Sequence, residues 1–152
     1  MDPKEIYAGA YFLAARAHMN QFDKGGRPYM EHLERVAENF RNDWTLKTVA
    51  ILHDILEDTW VTKDMLEHLF GNDIADAVEA LTRKENQSYG DFIKELTNNV
   101  MAIRVKMVDL TDNMDLGRLK EINDEDLDRV KKYAKWRKYL REYYFTNVLK
   151  CS

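Results

Sequence analysis

The sequence predicts an all-α protein folded as one domain over residues 1–152, and three observations carry that expectation. Apolar residues recur three and four apart along almost the whole chain, the spacing of one helix face. Residues that start or stop helices stand between these runs. No alternating apolar–polar stretch of strand length is present, and there is no internal repeat, low-complexity tract or linker. A chain of this length buries about two thirds of its unfolded surface without disulfides or metals.

The elements follow in order. Asp2 caps a first helix with Pro3 at its first position, and Ile6, Ala10, Leu13, Ala14 and Ala17 share a face until about Asn20. The stretch DKGGRP breaks it. A second helix carries Met30, Leu33, Val36, Ala37 and Phe40 inward and ends near Asn42. A third begins at Thr45. Thr62 caps a short helix to Phe70, where Gly71 stops it in the left-handed conformation. Asp73 begins a fifth, with Ile74, Ala77, Val78 and Leu81 inward. The polar segment RKENQSYG reads as a loop, and Ser88 with Asp91 has the form of a capping box for the next helix. A further helix runs from about Asn99 to Leu116, stopped by Gly117. The last, from about Glu125 to Leu149, carries Leu127, Val130, Ala134, Leu140 and Tyr144.

Composition narrows the function classes. A net charge of −4 argues against a surface built to wrap nucleic acid, while leaving room for a local basic pocket that takes a small anion. No apolar run of membrane-spanning length occurs, so the expectation is a cytoplasmic protein with no membrane partner. The single cysteine, Cys151, can form no internal disulfide and fits a reducing compartment as a tail residue.

The chemistry concentrates in ILHDILEDT, residues 51–59, where His53, Asp54, Glu57 and Asp58 interrupt an apolar helical run. A charge leaves water only if it is paired or binds a metal. On one continuous helix His53 stacks over Glu57 and Asp54 over Asp58, so all four line one cleft. Taken alone, this helix also fits an exposed acidic stripe. Two distant segments favour the cleft. In GRPYMEHLERVA, His32 lies beside inward Leu33 and Val36, after a Gly-Gly turn that lets backbone approach a ligand; in VKMVDLTDNMDLGRL, Asp109 interrupts an apolar run with Asn113 one turn below. His32, His53, Asp54 and Asp109 supply the mixed nitrogen and oxygen set that a divalent transition metal takes. Glu57, Asp58 and Asn113 remain as reacting or supporting groups.

The order H…HD…D, through GRPYMEH, ILHDILEDT, FG and VKMVDLTDNM, resembles the HD-domain metal-dependent phosphohydrolases, and within them the hydrolase domain of the RelA/SpoT family and its small stand-alone relatives. The resemblance spans about Ala14 to Arg118. It implies a helical bundle holding one divalent metal, usually Mn²⁺, through His32, His53, Asp54 and Asp109. Glu57 and Asp58 fall at the catalytic ED positions, and Asn113 at the asparagine position. The implied activity is removal of the 3′-pyrophosphate from the guanosine alarmone (p)ppGpp. Three departures stand out: His32 is followed by Leu33 instead of proline, Asp112 stands where a histidine is usual, and Asp23 and Lys24 replace a basic pair.

Phosphate contacts are expected from Lys24, Arg83 and Lys84, and base stacking from Tyr29 and Tyr89; each also has an ordinary reading as a solvated charge or a packing residue. Glu57 is the expected acceptor of the water proton with Asp58 at the leaving oxygen, an assignment that can be exchanged. His18 and His68 are not expected to bind the metal. The aromatic stretch WRKYLREYYF fits a core face backed by an interaction surface, such as a contact between copies. Two readings stand: a hydrolase of (p)ppGpp or another phosphorylated nucleotide such as NADPH, and a silent nucleotide-binding or partner-docking protein.

Overall fold

The chain is all-α in the computed structural model, which describes residues 1–150. Cys151 lies outside the described residues. Nine α-helices are present among them, and the only extended pairing is an isolated antiparallel bridge between Phe22 and Pro28.

Helix α1 (Pro3–Ala17) starts where Asp2 accepts a hydrogen bond from the Lys4 amide. It stops three residues short of the expected end because Asn20 takes a positive φ of 71°, a conformation that ends helices. Helix α2 (Met30–Glu38) buries His32, Leu33, Val36 and Ala37. Helix α3 (Trp44–Leu52), capped by Asp43, buries every residue from Leu46 to Leu52. A helix buried on all sides is a core helix, and α3 accordingly touches α1, α2, α6 and α8. Lys47 survives there because its ammonium lies over the rings of Tyr7 and Trp44 and 3.5 Å from Glu38.

A single turn, α4 (Ile55–Asp58), follows, pinned by fully buried Ile55. Helices α5 (Lys63–Phe70) and α6 (Asn72–Ala80) form a tight pair joined through Gly71. Gly71 has φ 91° and ψ 165°, so it makes the turn in the extended, glycine-only region and not in the left-handed helical one expected. Ile74, Ala77, Val78 and Leu81 are buried as the spacing predicts. Helix α7 (Tyr89–Leu96) is capped by Ser88, which accepts from the Asp91 amide.

Helix α8 (Val100–Asn113) is shorter than expected, and a 3₁₀ turn over Leu116–Arg118 follows it. Helix α9 (Asp124–Tyr144) begins with a full capping box between Asn123 and Asp126 and ends in a π-turn over Phe145–Leu149. Its packing face keeps Leu140 and Tyr144 of the expected set and departs from it toward the N-terminal end. Leu127 and Ala134 are exposed and Val130 is half-buried; Tyr133, Trp136, Tyr139 and Tyr144 join buried Leu140 in covering the core. Aromatic rings at these positions bury more area than the small aliphatic residues beside them, and the helix rotates to suit them.

Candidate metal centre and its cleft

The ILHDILEDT segment does not form one helix. Helix α3 ends at Leu52, and the His53 Nδ1 donates to the Ala50 carbonyl at 2.7 Å. Asp54 then takes φ −103° and ψ 0°, the sparsely populated bridge region. His53 and Asp54 therefore sit in an elbow, and the expected stacking of His53 over Glu57 on a continuous helix is replaced by this bend. The Asp58 amide still donates to the Asp54 carbonyl at 3.1 Å, which carries α4 on from the elbow.

The elbow meets α2 and α8. One ligand-capable atom from each of His32, His53, Asp54 and Asp109 lies within 4.8 Å of the other three. His53 Nε2 is 3.1 Å from both Asp54 Oδ2 and Asp109 Oδ1, and His32 Nε2 is 2.9 Å from Asp109 Oδ1. The sequence-predicted set is thus brought together from three remote segments.

Both rings are oriented from behind. The Ala50 carbonyl can only accept, so His53 donates from Nδ1 and points Nε2 toward the cluster, 3.1 Å from Asp109 Oδ1. His32 Nδ1 donates to Asp112 Oδ2 at 2.6 Å, with the same result. Asp112 is itself held by a fork from Arg35, whose Nε and Nη2 lie 2.8 and 3.1 Å from its two oxygens, and by Arg118 Nη2 on its carbonyl at 2.8 Å. The carboxylate that stands where a histidine is usual is therefore the residue that aims His32.

This arrangement fits a divalent cation. His32 Nε2 is buried and has no aligned hydrogen bond despite its closeness to Asp109. Two imidazole Nε2 atoms and two carboxylates converge, a donor set that divalent transition metals accept once the rings give up their Nε2 protons. Burial pushes both imidazoles down, but the carboxylates around them, Asp109 and Asp112 at His32 and Asp54 and Asp109 at His53, push them up further, and a bound cation would take over that balance of charge. The acids are strongly ionised: burial pushes Asp54 up but His53 brings it down to about 2, and against the same burial Lys106 and His53 hold Asp109 well below the carboxylate range. Lys106 Nζ reaches Asp109 Oδ2 at 2.8 Å and Asn113 Nδ2 reaches Oδ1 at 3.0 Å.

Two lobes lie beside the cluster, one bordered by Asp54 and the other by Tyr29 and Asn113, which bond Asp54 and Asp109; they share Asn113 and Tyr133 as a common wall. The first, about 230 Å³, is bordered by Asp54 and Glu57 and by the cations Arg83, Lys106 and Lys132. The second, about 380 Å³, carries Lys24, Arg118 and Arg129. Its rim exists because Gly25 has no side chain: a Cβ there would lie 2.7 Å from the Arg118 carbonyl. The glycine turn thus approaches another segment of the chain, where the sequence reading had it approach a ligand.

Glu57 is exposed to the first lobe and accepts from the Arg83 amide at 2.6 Å. Burial, with Asp54 and Asp58 beside it, pushes its carboxyl up against that bond, and burial and Asp54 push Asp58 up as well. Asp58 lines neither lobe, and its carbonyl is held by Gln21. Tyr89 borders the first lobe with its buried hydroxyl unpartnered and Lys132 Nζ 4.1 Å above its ring. Tyr29 borders the second, but its hydroxyl donates to Asp54 Oδ2 at 2.5 Å, so it holds a candidate ligand where base stacking was expected. Lys84 lies outside both lobes, paired with Glu95 at 2.7 Å. His18 is buried against Tyr29 and Gln21, and His68 is exposed on α5.

Sequence reasoning missed Lys106, Asp112, Arg118, Arg129, Lys132 and Tyr133. Lys106 is three residues before Asp109 on one helix, a readable spacing. Those on α9 reach the cleft only through tertiary packing.

Comparison with known proteins adds to this geometry. Residues 10–135 match the family model for the HD domain. The bifunctional (p)ppGpp synthase/hydrolase SpoT of Escherichia coli K12 is 31% identical over 126 residues, covering 73% of this chain and 18% of its own. A guanosine-3′,5′-bis(diphosphate) 3′-pyrophosphohydrolase of Vibrio cholerae is 31% identical over 131 residues, covering 76% and 19%. The chain therefore spans about a fifth of the length of these relatives. A solved structure of a metazoan ortholog of SpoT, described as hydrolysing ppGpp, superposes with a TM-score of 0.73 at 24% identity, over 92% of this chain and 85% of that one.

Proposed function

The chain belongs to the HD-domain family, and from that premise we propose that it is a metal-dependent phosphohydrolase that removes pyrophosphate from a guanosine bis(diphosphate) of the (p)ppGpp type. The observation that carries this reading is the four-residue cluster beside two adjoining lobes, each lined by three cationic side chains. A nucleotide with diphosphates at both ends of its ribose has the charge distribution for such a cleft. The names borne by the relatives support the same substrate class.

His32, His53, Asp54 and Asp109 hold the cation, for which Mn²⁺ is the proposed identity. Once bound, a divalent cation supplies Lewis acidity, making water a better nucleophile near neutral pH and drawing charge from a phosphoryl oxygen. Glu57, at the edge of the first lobe, accepts the proton of the attacking water. The upward push on its carboxyl makes it a stronger base, and positive charge at the cluster opposes that push. Asp58 supports Glu57 or serves the leaving oxygen. Lys106, Arg83 and Lys132 bind the scissile diphosphate beside Asp54, while Lys24, Arg118 and Arg129 take the second phosphate group. Asn113 fixes Asp109 between the lobes. Tyr133 and Tyr89 border the space for ribose and base.

Incubating the protein with Mn²⁺ and a panel containing ppGpp, GTP, GDP and NADPH, and following pyrophosphate and phosphate, tests the reading. Pyrophosphate with GDP as co-product from ppGpp is expected. Release from NADPH alone would replace the substrate. Nucleotide binding without release from any member would leave a silent binding protein.

A further inference from the structure

On the side of α8 away from the cluster lies an open cavity of about 790 Å³, bordered by α2, α8 and the end of α9. Four guanidiniums face it, from Arg35, Arg104, Arg137 and Arg141, against two carboxylates, Asp112 and Asp115. Both carboxylates are already engaged, Asp112 with Arg35 and Arg118 and Asp115 with Arg118. Among the described residues Arg104, Arg137 and Arg141 have no ion pair. Arg104 lies over the Phe40 ring and Arg141 over Phe145, and Arg137 keeps a buried Nε with no hydrogen-bond partner. Arg137 and Arg141 also stand four apart on one helix, where like charges repel. A protein that stacks unneutralised guanidiniums around an aromatic-walled cavity has a place for a planar anion.

The volume is that of a small-molecule site. Tyr144 and Phe145 put aromatic rings on its wall, and the arginines offer forked donors matched to phosphate oxygens. The cavity is also wired to the centre. Arg35 in its wall forks onto Asp112, and Asp112 takes the Nδ1 proton of His32 at 2.6 Å.

We propose that this cavity is an effector site for a nucleotide, separate from the substrate cleft, whose occupancy reaches His32 through Arg35 and Asp112. The phosphates lie on Arg104, Arg137 and Arg141 and the base against the aromatic wall. Anionic charge beside Arg35 competes with Asp112 for its guanidinium and changes the hydrogen bond to His32. The site itself does not rest on the hydrolase reading.

The test is made in EDTA, so that metal binding and turnover play no part. The protein is titrated calorimetrically with ADP, GDP and inorganic phosphate. The Arg104→Gln/Arg141→Gln double variant and the cleft variant Lys132→Ala are titrated alongside, with thermal melts as a check on folding. Because Arg141 is exposed, the single variant Arg141→Gln serves if the double variant melts early. A nucleoside diphosphate is expected to bind, to weaken about tenfold or more in the arginine variants, the worth of lost charge-assisted hydrogen bonds, and to change little in Lys132→Ala. The His32 Nδ1 proton resonance is expected to shift on binding in the native protein. No binding, or binding lost only in Lys132→Ala, overturns the site. Binding that leaves the His32 resonance unmoved overturns its effector role. A dimer that dissociates in Arg141→Gln and binds no nucleotide makes the cavity an interface between copies and overturns the proposal.

Discussion

The two histidines present the same atom to the same point, yet they are held by different means. His53, in the elbow after α3, is fixed by the main-chain carbonyl of Ala50, within the buried last turn of that helix. His32, on α2, is fixed by a side chain, Asp112, which answers in turn to Arg35 and Arg118. One orientation is a by-product of the fold. The other is a removable device that a substitution or a bound charge can retune, and it faces the arginine-lined cavity.

The largest expected effect comes from the fixed arm. His53→Ala should abolish stoichiometric Mn²⁺ binding in calorimetry and with it pyrophosphate release; undiminished metal affinity would mean that the four-residue set is misassigned. Glu57→Gln should retain Mn²⁺ and lose about 10²- to 10⁴-fold in turnover, the usual worth of a general base. A fully active Glu57→Gln would transfer that role to Asp58. The adjustable arm should respond more mildly. Asp112→Asn keeps an acceptor for His32 but drops the charge, and metal affinity is expected to fall about 10- to 100-fold, as for other partners of ligating histidines. Equal losses in Asp112→Asn and His53→Ala would erase the contrast between the arms. The smallest effect is at the far end of α3. Asp43→Ala removes a cap bond of 2.9 Å to the Leu46 amide and should cost about 1 kcal/mol in urea unfolding, with metal affinity unchanged because burial fixes the helix.

The first two thirds of the fold were legible because their helices announce themselves by caps and by one apolar face. Asp2, Thr62 and Ser88 cap where the sequence placed them, and Ala10, Leu33, Ile74 and Val78 are buried as their spacing requires. On helix α9 the expected face holds at Leu140 and Tyr144 and fails at Leu127 and Ala134, which point outward while aromatic rings take the buried side. At the centre, the identity of the four clustered residues could be read from type and spacing, but the bend between Leu52 and Ile55 could not. It depends on a side chain capturing the Ala50 carbonyl, which helix periodicity does not encode. The cationic lobes were half visible. Arg83 and Lys24 stood in loops, whereas Arg129 and Lys132 needed α9 to be laid against α8.

The four clustered groups come from positions 32, 53, 54 and 109 of the chain. While the polypeptide is still emerging from the ribosome, the elbow offers only its adjacent pair, and the set is complete only after α8 has been made and docked. A site able to hold an ion thus belongs only to the finished molecule.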